Sequence, residues 1–304
     1  MEQIKKIVAI IVTYNAVPWL ERCLGSLQAS SVPVQTVIVD NRSTDETVNT
    51  IRTRYPQTVL IENQENLGFG QANNIGIRYA LEHEATHVLL LNQDAWIEPK
   101  MIENLLVYDD QQSLLSPIHL TGEGDRLDTN FEHCALRRSP AYDQYLSDQA
   151  AGVTNKYPTY EINAACWLIP RAVLEEIGGF SPLFFHYAED TDYLQRLHFH
   201  GKGVYFVSGT YCYHDRARAP KKIPTAQSIY QQLVLRAVDI NCSRFRCWIH
   251  RVRYCLAVWH TALAEHRLKD ICLLAQAKRM FCAHYKSILA NRKEIQTKSA
   301  HWLR

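Results

Sequence analysis

The sequence predicts an α/β fold: a mostly parallel central sheet flanked by helices, with a helical appendage at the C-terminal end. Three observations carry that expectation. Short apolar runs alternate with segments of helical period through roughly the first third of the chain. Those runs stop at polar clusters, and ligands of open α/β sheets bind beyond the carboxyl ends of the strands. After Pro220 and Pro224 the composition changes to basic stretches with helical spacing.

Taken in order, Ile7–Val12 reads as the first strand, ending at Thr13-Tyr14-Asn15. That run is too short for the apolar region of a signal peptide, and far short of the roughly 20 residues a membrane helix needs. Trp19–Gln28 has helical spacing, with Leu20, Cys23, Leu24 and Leu27 on one face. Val34–Val39 is the second strand and ends in Asp40-Asn41. A helix capped by Ser43 or Thr44 then runs to the neighbourhood of Tyr55. Thr58–Glu62 and the very apolar His87–Leu91 are the next strands, with a helix over Gly70–Glu82 between them. From His119 to Tyr160 no period is clear, which predicts loops or a hairpin lining a cleft. Ile162–Ile169 reads as a strand, and Pro170 starts a helix over Arg171–Ile177 that Gly178-Gly179 ends. An acidic cluster within Phe184–His200 leads into another helix, and Val204–Val207 and Tyr211–Tyr213 are the last strands of the body. The expected division is a body of residues 1–220 and a basic, mainly helical extension of residues 221–304.

Of the 304 residues 47% are hydrophobic and 21% charged, enough for a packed core and too few charges for a disordered chain. The nine cysteines are odd in number and form no C-x-x-C pair, so they read as reduced thiols of a cytoplasmic protein, with neither a disulfide framework nor a zinc site. Residues 241–304 hold 13 Lys and Arg against 3 Asp and Glu, whereas the remainder holds 20 against 28. A body and a tail with different partners follow from that asymmetry.

Three polar groups can carry chemistry. Asn92-Gln93-Asp94 follows a strand directly, where a carboxylate can hold Mg²⁺ or Mn²⁺, although Asn and Asp also favour plain turns. Glu189, Asp190 and Asp192 open a helix beside the aromatic run Phe184-Phe185-His186-Tyr187. Carboxylates there serve as caps, but one in a partly dry site can act as a general base. His214 ends the Tyr211–Tyr213 strand and could complete a metal site with Asp94. Gly68-Phe69-Gly70 precedes a helix, yet a dinucleotide fingerprint would need glycine where Asn73 stands.

Together these strings resemble glycosyltransferase family 2, the inverting enzymes of the GT-A fold, and within it the rhamnosyltransferase branch that builds bacterial surface polysaccharides. The resemblance covers roughly residues 5 to 216 and rests on Ile11–Asn15, Val39–Asp45, Asn66–Gly76, Leu90–Asp94, Gly178–Phe180 and Glu189–Asp192, in the family's order. It implies that Thr13, Tyr14 and Asn15 face the nucleotide and that Asp40 hydrogen-bonds its base. Asn66 and Asn74 would border the nucleotide-sugar pocket. Asp94 would hold Mg²⁺ or Mn²⁺ on the diphosphate, with His214 as an additional ligand. Asp190 would take the proton from the acceptor hydroxyl, while Glu189 and Asp192 orient that base or the acceptor, and Trp167 would stack on a sugar ring or serve in the core. Many members have Asp where this chain has Asn92, so the metal motif is one charge short; Asn92 can still ligate through its carbonyl or a water.

The expected activity is therefore inverting transfer of a rhamnosyl or similar sugar from a dTDP- or UDP-linked donor to a glycan or lipid-linked acceptor. A sugar-nucleotide-forming nucleotidyltransferase would need a Gly-rich phosphate loop in place of Thr13–Pro18, and a non-catalytic sugar-nucleotide-binding protein would not need Asp94 and Asp190. In the tail, Phe245, Trp248, Ile249, Val252, Cys255, Leu256 and Trp259 recur at helical spacing among Arg244, Arg246, His250 and Arg253. That stripe either packs on the body or lies peripherally on an anionic membrane, at the inner face of the cell membrane. No nucleic-acid recognition motif accompanies the charge, so no nucleic-acid partner is expected.

Overall fold

The computed structural model describes residues 5–216 and 224–303. The expected boundary at 220/221, with Pro220, lies outside the described residues. The first half alternates as anticipated: β1 (Ile7–Thr13), α1 (Leu20–Gln28), β2 (Val34–Asp40), α2 (Thr47–Arg54), β3 (Val59–Glu62), α3 (Gly68–Glu82) and β4 (His87–Leu91). Two elements follow that the sequence reading passed over, β5 (Ala95–Ile97) and α4 (Met101–Leu106). The second half continues with β6 (Ser113–Thr121), a π-helical turn (Phe131–Leu136), α5 (Tyr142–Ala150), β7 (Lys156–Pro158), β8 (Cys166–Pro170), α6 (Arg171–Ile177), α7 (Glu189–Phe199) and β9 (Gly203–His214). The tail holds α8 (Ala226–Val238), α9 (Arg244–Ala264), α10 (Leu268–Ala283) and α11 (Tyr285–Glu294).

Strands read as unbroken apolar runs because both sheet faces are covered. On β1, Ile7, Ala9 and Ile11 face α1, α2 and α4, while Val8 and Ile10 face α3, α6 and α7. The strand order is β3-β2-β1-β4-β8-β6-β9-β5, with β7 also on β9. The pairs β3-β2, β2-β1 and β1-β4 are parallel, so their carboxyl ends emerge on one edge. Beyond β4 the sheet is mixed: β8 runs antiparallel to β4 and β6, and β6 parallel to β9. Parallel character is thus confined largely to the first half.

The segment expected to be loops or a hairpin instead contains the end of β6, the π-helical turn, α5 and β7. The two short strands expected over Val204–Val207 and Tyr211–Tyr213 are one strand, β9, interrupted by an irregularity where Val207 and Tyr211 pair with the adjacent Pro117 and Ile118. The expected strand over Ile162–Ile169 begins only at Cys166, because β4 offers partners only from there.

The tail helices share a core of their own, built on Ile229, Leu233 and Val234 of α8, Leu274 and Ala277 of α10 and Ile288 of α11. Phe184 and Ala188 of the body belong to that same core. The tail therefore grips the loop that leads into α7. At the chain's end the Gly179 N–H donates to the His301 carbonyl, and Arg78 Nη1 to that of Trp302. On α9 the apolar residues divide: Tyr254 and Val258 pack inward, while Phe245, Trp248, Val252, Leu256, Trp259 and Leu263 are exposed along one line. Among the described residues no helix is long and apolar enough to cross a membrane.

Candidate active site

The parallel ends of β1, β2 and β4 build one side of a cleft by hydrogen-bonding to one another. Thr13 Oγ1 donates to Asp40 Oδ1 at 2.8 Å, and Ser43 supplies its hydroxyl to the same oxygen at 2.6 Å and its N–H to Oδ2 at 2.8 Å. Asp40 is 1% exposed. The expectation that it hydrogen-bonds a nucleotide base is corrected: its carboxylate is enclosed and holds the β2 end in shape. Asn15, with a left-handed φ of 52°, accepts the Thr44 N–H at 2.9 Å and donates its own N–H to Ser43 Oγ at 2.9 Å. Gln93 ties β4 to β1, accepting the Tyr14 N–H at 2.8 Å and donating to the Tyr14 carbonyl at 3.3 Å. The Tyr14 ring is left 47% exposed at the cleft.

A cavity of about 440 Å³ opens there, large enough for part of a nucleotide sugar. Tyr14, Asn66, Asn92 and Asp94 line it, with Phe185 and His186 among the residues that close it. Asn66 Oδ1 accepts the Gly68 N–H at 2.9 Å, and Asn41 Nδ2 donates to the Gly68 carbonyl at 3.1 Å. Gly68 takes a φ of 78°, and a Cβ there would lie 1.8 Å from the Phe185 carbonyl oxygen. The close approach of this backbone to the Phe185 loop therefore requires glycine.

Asp94, Asn92 and His214 meet on one wall. His214 Nε2 is 3.4 Å from Asp94 Oδ1 and 3.5 Å from Asn92 Nδ2, and Asn92 Oδ1 is buried without a partner. His214 Nδ1 accepts from Arg216 Nε at 3.2 Å and lies 3.7 Å from Asp128 Oδ2. Among the described residues no group of three or more His, Cys, Asp or Glu side chains is placed to hold a metal. Two such side chains and an orphaned amide oxygen do fit Mg²⁺ or Mn²⁺, which commonly take their remaining ligands from substrate phosphates and water.

The acidic cluster opens α7 after two consecutive left-handed residues, Tyr187 and Ala188, with φ of 69° and 73°. Such conformations are costly for residues other than glycine and concentrate at functional sites. The three acids have different surroundings. Asp190 is half-buried, and its Oδ1 accepts the Thr191 N–H at 2.8 Å. Glu189 is buried beside α3: a Cβ placed on Gly70 would lie 3.7 Å from its Cβ. Asp192 points away from the cleft into a buried ion pair with Arg196 at 3.1 Å, both side chains 1% exposed. Burial pushes the Asp192 carboxyl up, and Arg196 opposes that shift. Arg196 in turn donates to the carbonyls of Ile177 and Gly179 at 2.9 and 2.6 Å. Asp192 thus anchors α7 to α6, which corrects the expectation that it orients the base or the acceptor.

Two further expectations are corrected. Trp167 is fully buried against Phe180 and Tyr193, so it belongs to the core and cannot stack on a sugar. Asn74 does not border the cavity. Its amide donates to the Phe180 carbonyl at 2.8 Å and accepts the Phe180 N–H at 2.7 Å, latching α3 to the turn after α6.

The Cys134 thiol, raised chiefly by burial, is also raised by Glu161 and Asp190 and lowered by Arg138 and Arg216. Arg216 contacts His214. The sequence reading missed Asn41, Gln93, Asp128 and Arg216. The first two stand inside strings already singled out, whereas nothing local marks Asp128 or Arg216.

Residues 8–178 match the model of Glycosyl transferase family 2. The chain is 28% identical over 242 residues to the N-acetylglucosaminyl-diphospho-decaprenol L-rhamnosyltransferase of Mycobacterium tuberculosis, covering 71% of this chain and 78% of that one. Over 108 residues it is 35% identical to the dTDP-rhamnosyl transferase RfbF of Shigella flexneri, covering 35% and 36% of the two chains. Among solved structures, S. aureus TarS in complex with UDP-GlcNAc superposes with a TM-score of 0.62 at 16% identity, over 90% of this chain and 79% of that one. The mannosyltransferase PcManGT of Pyrobaculum calidifontis, in complex with GDP-Man and Mn²⁺, gives 0.57 at 19% identity, over 95% and 84%. These structures share the fold. The chain belongs to glycosyltransferase family 2, is an enzyme of glycosyl transfer, and resembles the family's rhamnosyltransferase branch.

Proposed function

We propose that the protein transfers a rhamnosyl or similar hexosyl group, with inversion, from a dTDP- or UDP-linked donor to a hydroxyl of a glycan or lipid-linked acceptor in surface polysaccharide synthesis. The observation that carries this reading is a cavity bordered on one side by Asn92 and Asp94 and on the other by the Phe185–His186 loop that leads to Asp190. The names of the two relatives support a rhamnosyl donor and an acceptor on a lipid diphosphate. In this proposal residues 1–220 are the catalytic domain and residues 221–304 its appendage.

The Tyr14 ring and Asn66 hold the nucleotide, and Thr13, Asn15 and Asp40 keep the strand ends that present them in place. Asp94, with Asn92 and His214, would hold Mg²⁺ or Mn²⁺, and such an ion would offset the negative charge gathering on the diphosphate leaving group. Asp190 accepts the proton of the acceptor hydroxyl as that oxygen bonds to the anomeric carbon. The bond to the diphosphate breaks on the opposite face of the ring, and its electron pair leaves with the phosphate. One displacement inverts the centre and needs only one base. Glu189, beside it, keeps α7 against α3.

The decisive experiment screens purified protein against a panel of nucleotide sugars, by thermal shift with and without Mn²⁺, followed by transfer assays. Asp190→Asn is expected to lower transfer by about 10²–10⁴-fold, the range for loss of a general base, with donor affinity nearly unchanged. Loss of donor binding in that variant would remove Asp190 from the base role.

The exposed line on α9 supports a peripheral membrane contact, since aromatic rings flanked by arginines suit an anionic surface. Replacing Trp248 and Trp259 together by serine is expected to cut co-sedimentation with anionic vesicles about tenfold or more, in line with loss of buried apolar area. Equal sedimentation of both proteins would count against it.

A further inference from the structure

A second cavity, of about 720 Å³, lies between the Phe185–Tyr187 loop and the tail helices α8 and α9. Phe185 and His186 border this cavity and the one proposed for the donor. Whatever occupies it lies against the loop that leads into Asp190.

We propose that this second cavity is the acceptor subsite and that it takes a neutral sugar ring of the acceptor, a reading that rests on the glycosyltransferase assignment above. Its lining has the chemistry of a carbohydrate site. The Phe185 and Tyr187 rings are each 49% exposed, and Tyr254 adds a third aromatic wall. Such faces stack on the apolar C–H face of a pyranose and exclude water from it. Between them stand the amides of Gln227, Gln231 and Gln232, suited to sugar hydroxyls. Arg267 and Asp270 also border the cavity, where they pair with each other at 3.3 Å, and Arg267 pairs with Glu265 at 3.0 Å. Among the described residues the lining thus offers stacking faces and amides rather than a free cation, which suits a neutral sugar ring.

Gln231 supplies an independent observation. It is 3% exposed, and its Nε2 has no hydrogen-bond partner. An unsatisfied buried amide costs on the order of 1–3 kcal/mol, and Gln231 borders the cavity, so a turn of its side chain would offer that amide to a ligand hydroxyl. The site is also preformed. Phe184 and Ala188, which flank the aromatic loop, share one core with α8 and α10, so both walls are packed together without a ligand. Preorganisation of this kind lowers the cost of binding. The tail is thereby assigned a share in choosing the acceptor.

The test is direct binding of octyl glycosides of N-acetylglucosamine, glucose, galactose and rhamnose to the full chain with UDP present, followed by saturation-transfer NMR and calorimetry. Ala257→Trp fills the cavity from its exposed rim, and Gln231→Leu removes the amide. Wild-type protein is expected to bind at least one glycoside saturably. Each variant is expected to weaken that binding at least about tenfold, the size of one lost buried hydrogen bond, while UDP affinity moves less than about twofold. Damage to the fold as a whole would move both affinities. Absence of saturable glycoside binding to wild type, or wild-type affinity in both variants, overturns the proposal. Glycoside binding that the variants abolish, in a protein that consumes no nucleotide sugar, leaves the cavity assigned and overturns the transferase reading instead.

Discussion

The two sides of the cleft are built in different ways. The side proposed for the donor consists of strand ends that lie next to one another because their strands pair, so Thr13, Asn15, Asp40 and Ser43 meet within one local network. The opposite side is a single loop, Leu183–Ala188, with strained backbone at its end. It is held by α8 and α10 through Phe184 and Ala188, and by Gly68 pressed against its Phe185 carbonyl. The first side comes from sheet topology. The second depends on contacts with separate elements, α3 before it and α8 and α10 after it, so it is the side where packing can be altered without disturbing the strand ends.

The largest expected difference comes from the anchor of α7. Asp192→Ala leaves Arg196 buried without its counter-ion, which costs about 3–5 kcal/mol. Chemical denaturation should show that loss, and acceptor-dependent turnover should fall further than donor affinity at temperatures where the protein remains folded. A fall confined to donor affinity would break the contrast between the two sides.

Asp40→Ala probes the donor side. It strips partners from Thr13 and from the Ser43 N–H and hydroxyl, a loss of about 2–3 kcal/mol for buried donors left unmade. Donor KM is expected to rise while acceptor KM stays near its wild-type value, as steady-state kinetics can measure. Equal changes in both constants would mean that the two sides are mechanically one.

The smallest effect lies under the floor that both sides share. His119 is fully buried, and burial, followed by the charges of His214 and Arg216, pushes its imidazole down to about 3. In the unfolded chain it titrates near 6.5. Between those values the unfolded state binds the extra proton, so the contribution is fully present above pH 6.5 and is lost as pH falls toward 3. At pH 5.5 the loss is about 1 kcal/mol. His119→Asn is expected to flatten that slope in denaturation curves recorded from pH 7 to pH 5.

How much was legible depended on where each residue finds its partners. The strand β4 matches its apolar run, His87–Leu91, residue for residue, and β1 and β2 each exceed theirs by the one polar residue that ends them. Buried parallel strands announce themselves because both faces need apolar side chains. The β6 strand did not announce itself, since it carries Ser113, Ser116 and His119 into the interior. Ser116 is tolerated there because its hydroxyl donates to the Cys166 carbonyl at 2.7 Å, a partner 50 positions away. The pairing of Asp192 with Arg196 had a local signal in its i,i+4 spacing, which the acidic cluster obscured.

By itself the sequence determined the alternation of strands and helices and the polar ends at which a site would form, because periodicity and burial on two faces are local properties of the chain. Only the tertiary structure decided which of those polar groups face the cleft. Asp94 and Asn92 reach it, whereas Asp40, Asn74, Asp192 and Trp167 are taken up by neighbours inside the fold. A side chain's availability is set by the partners that surround it, and most of those partners arrive from distant parts of the chain.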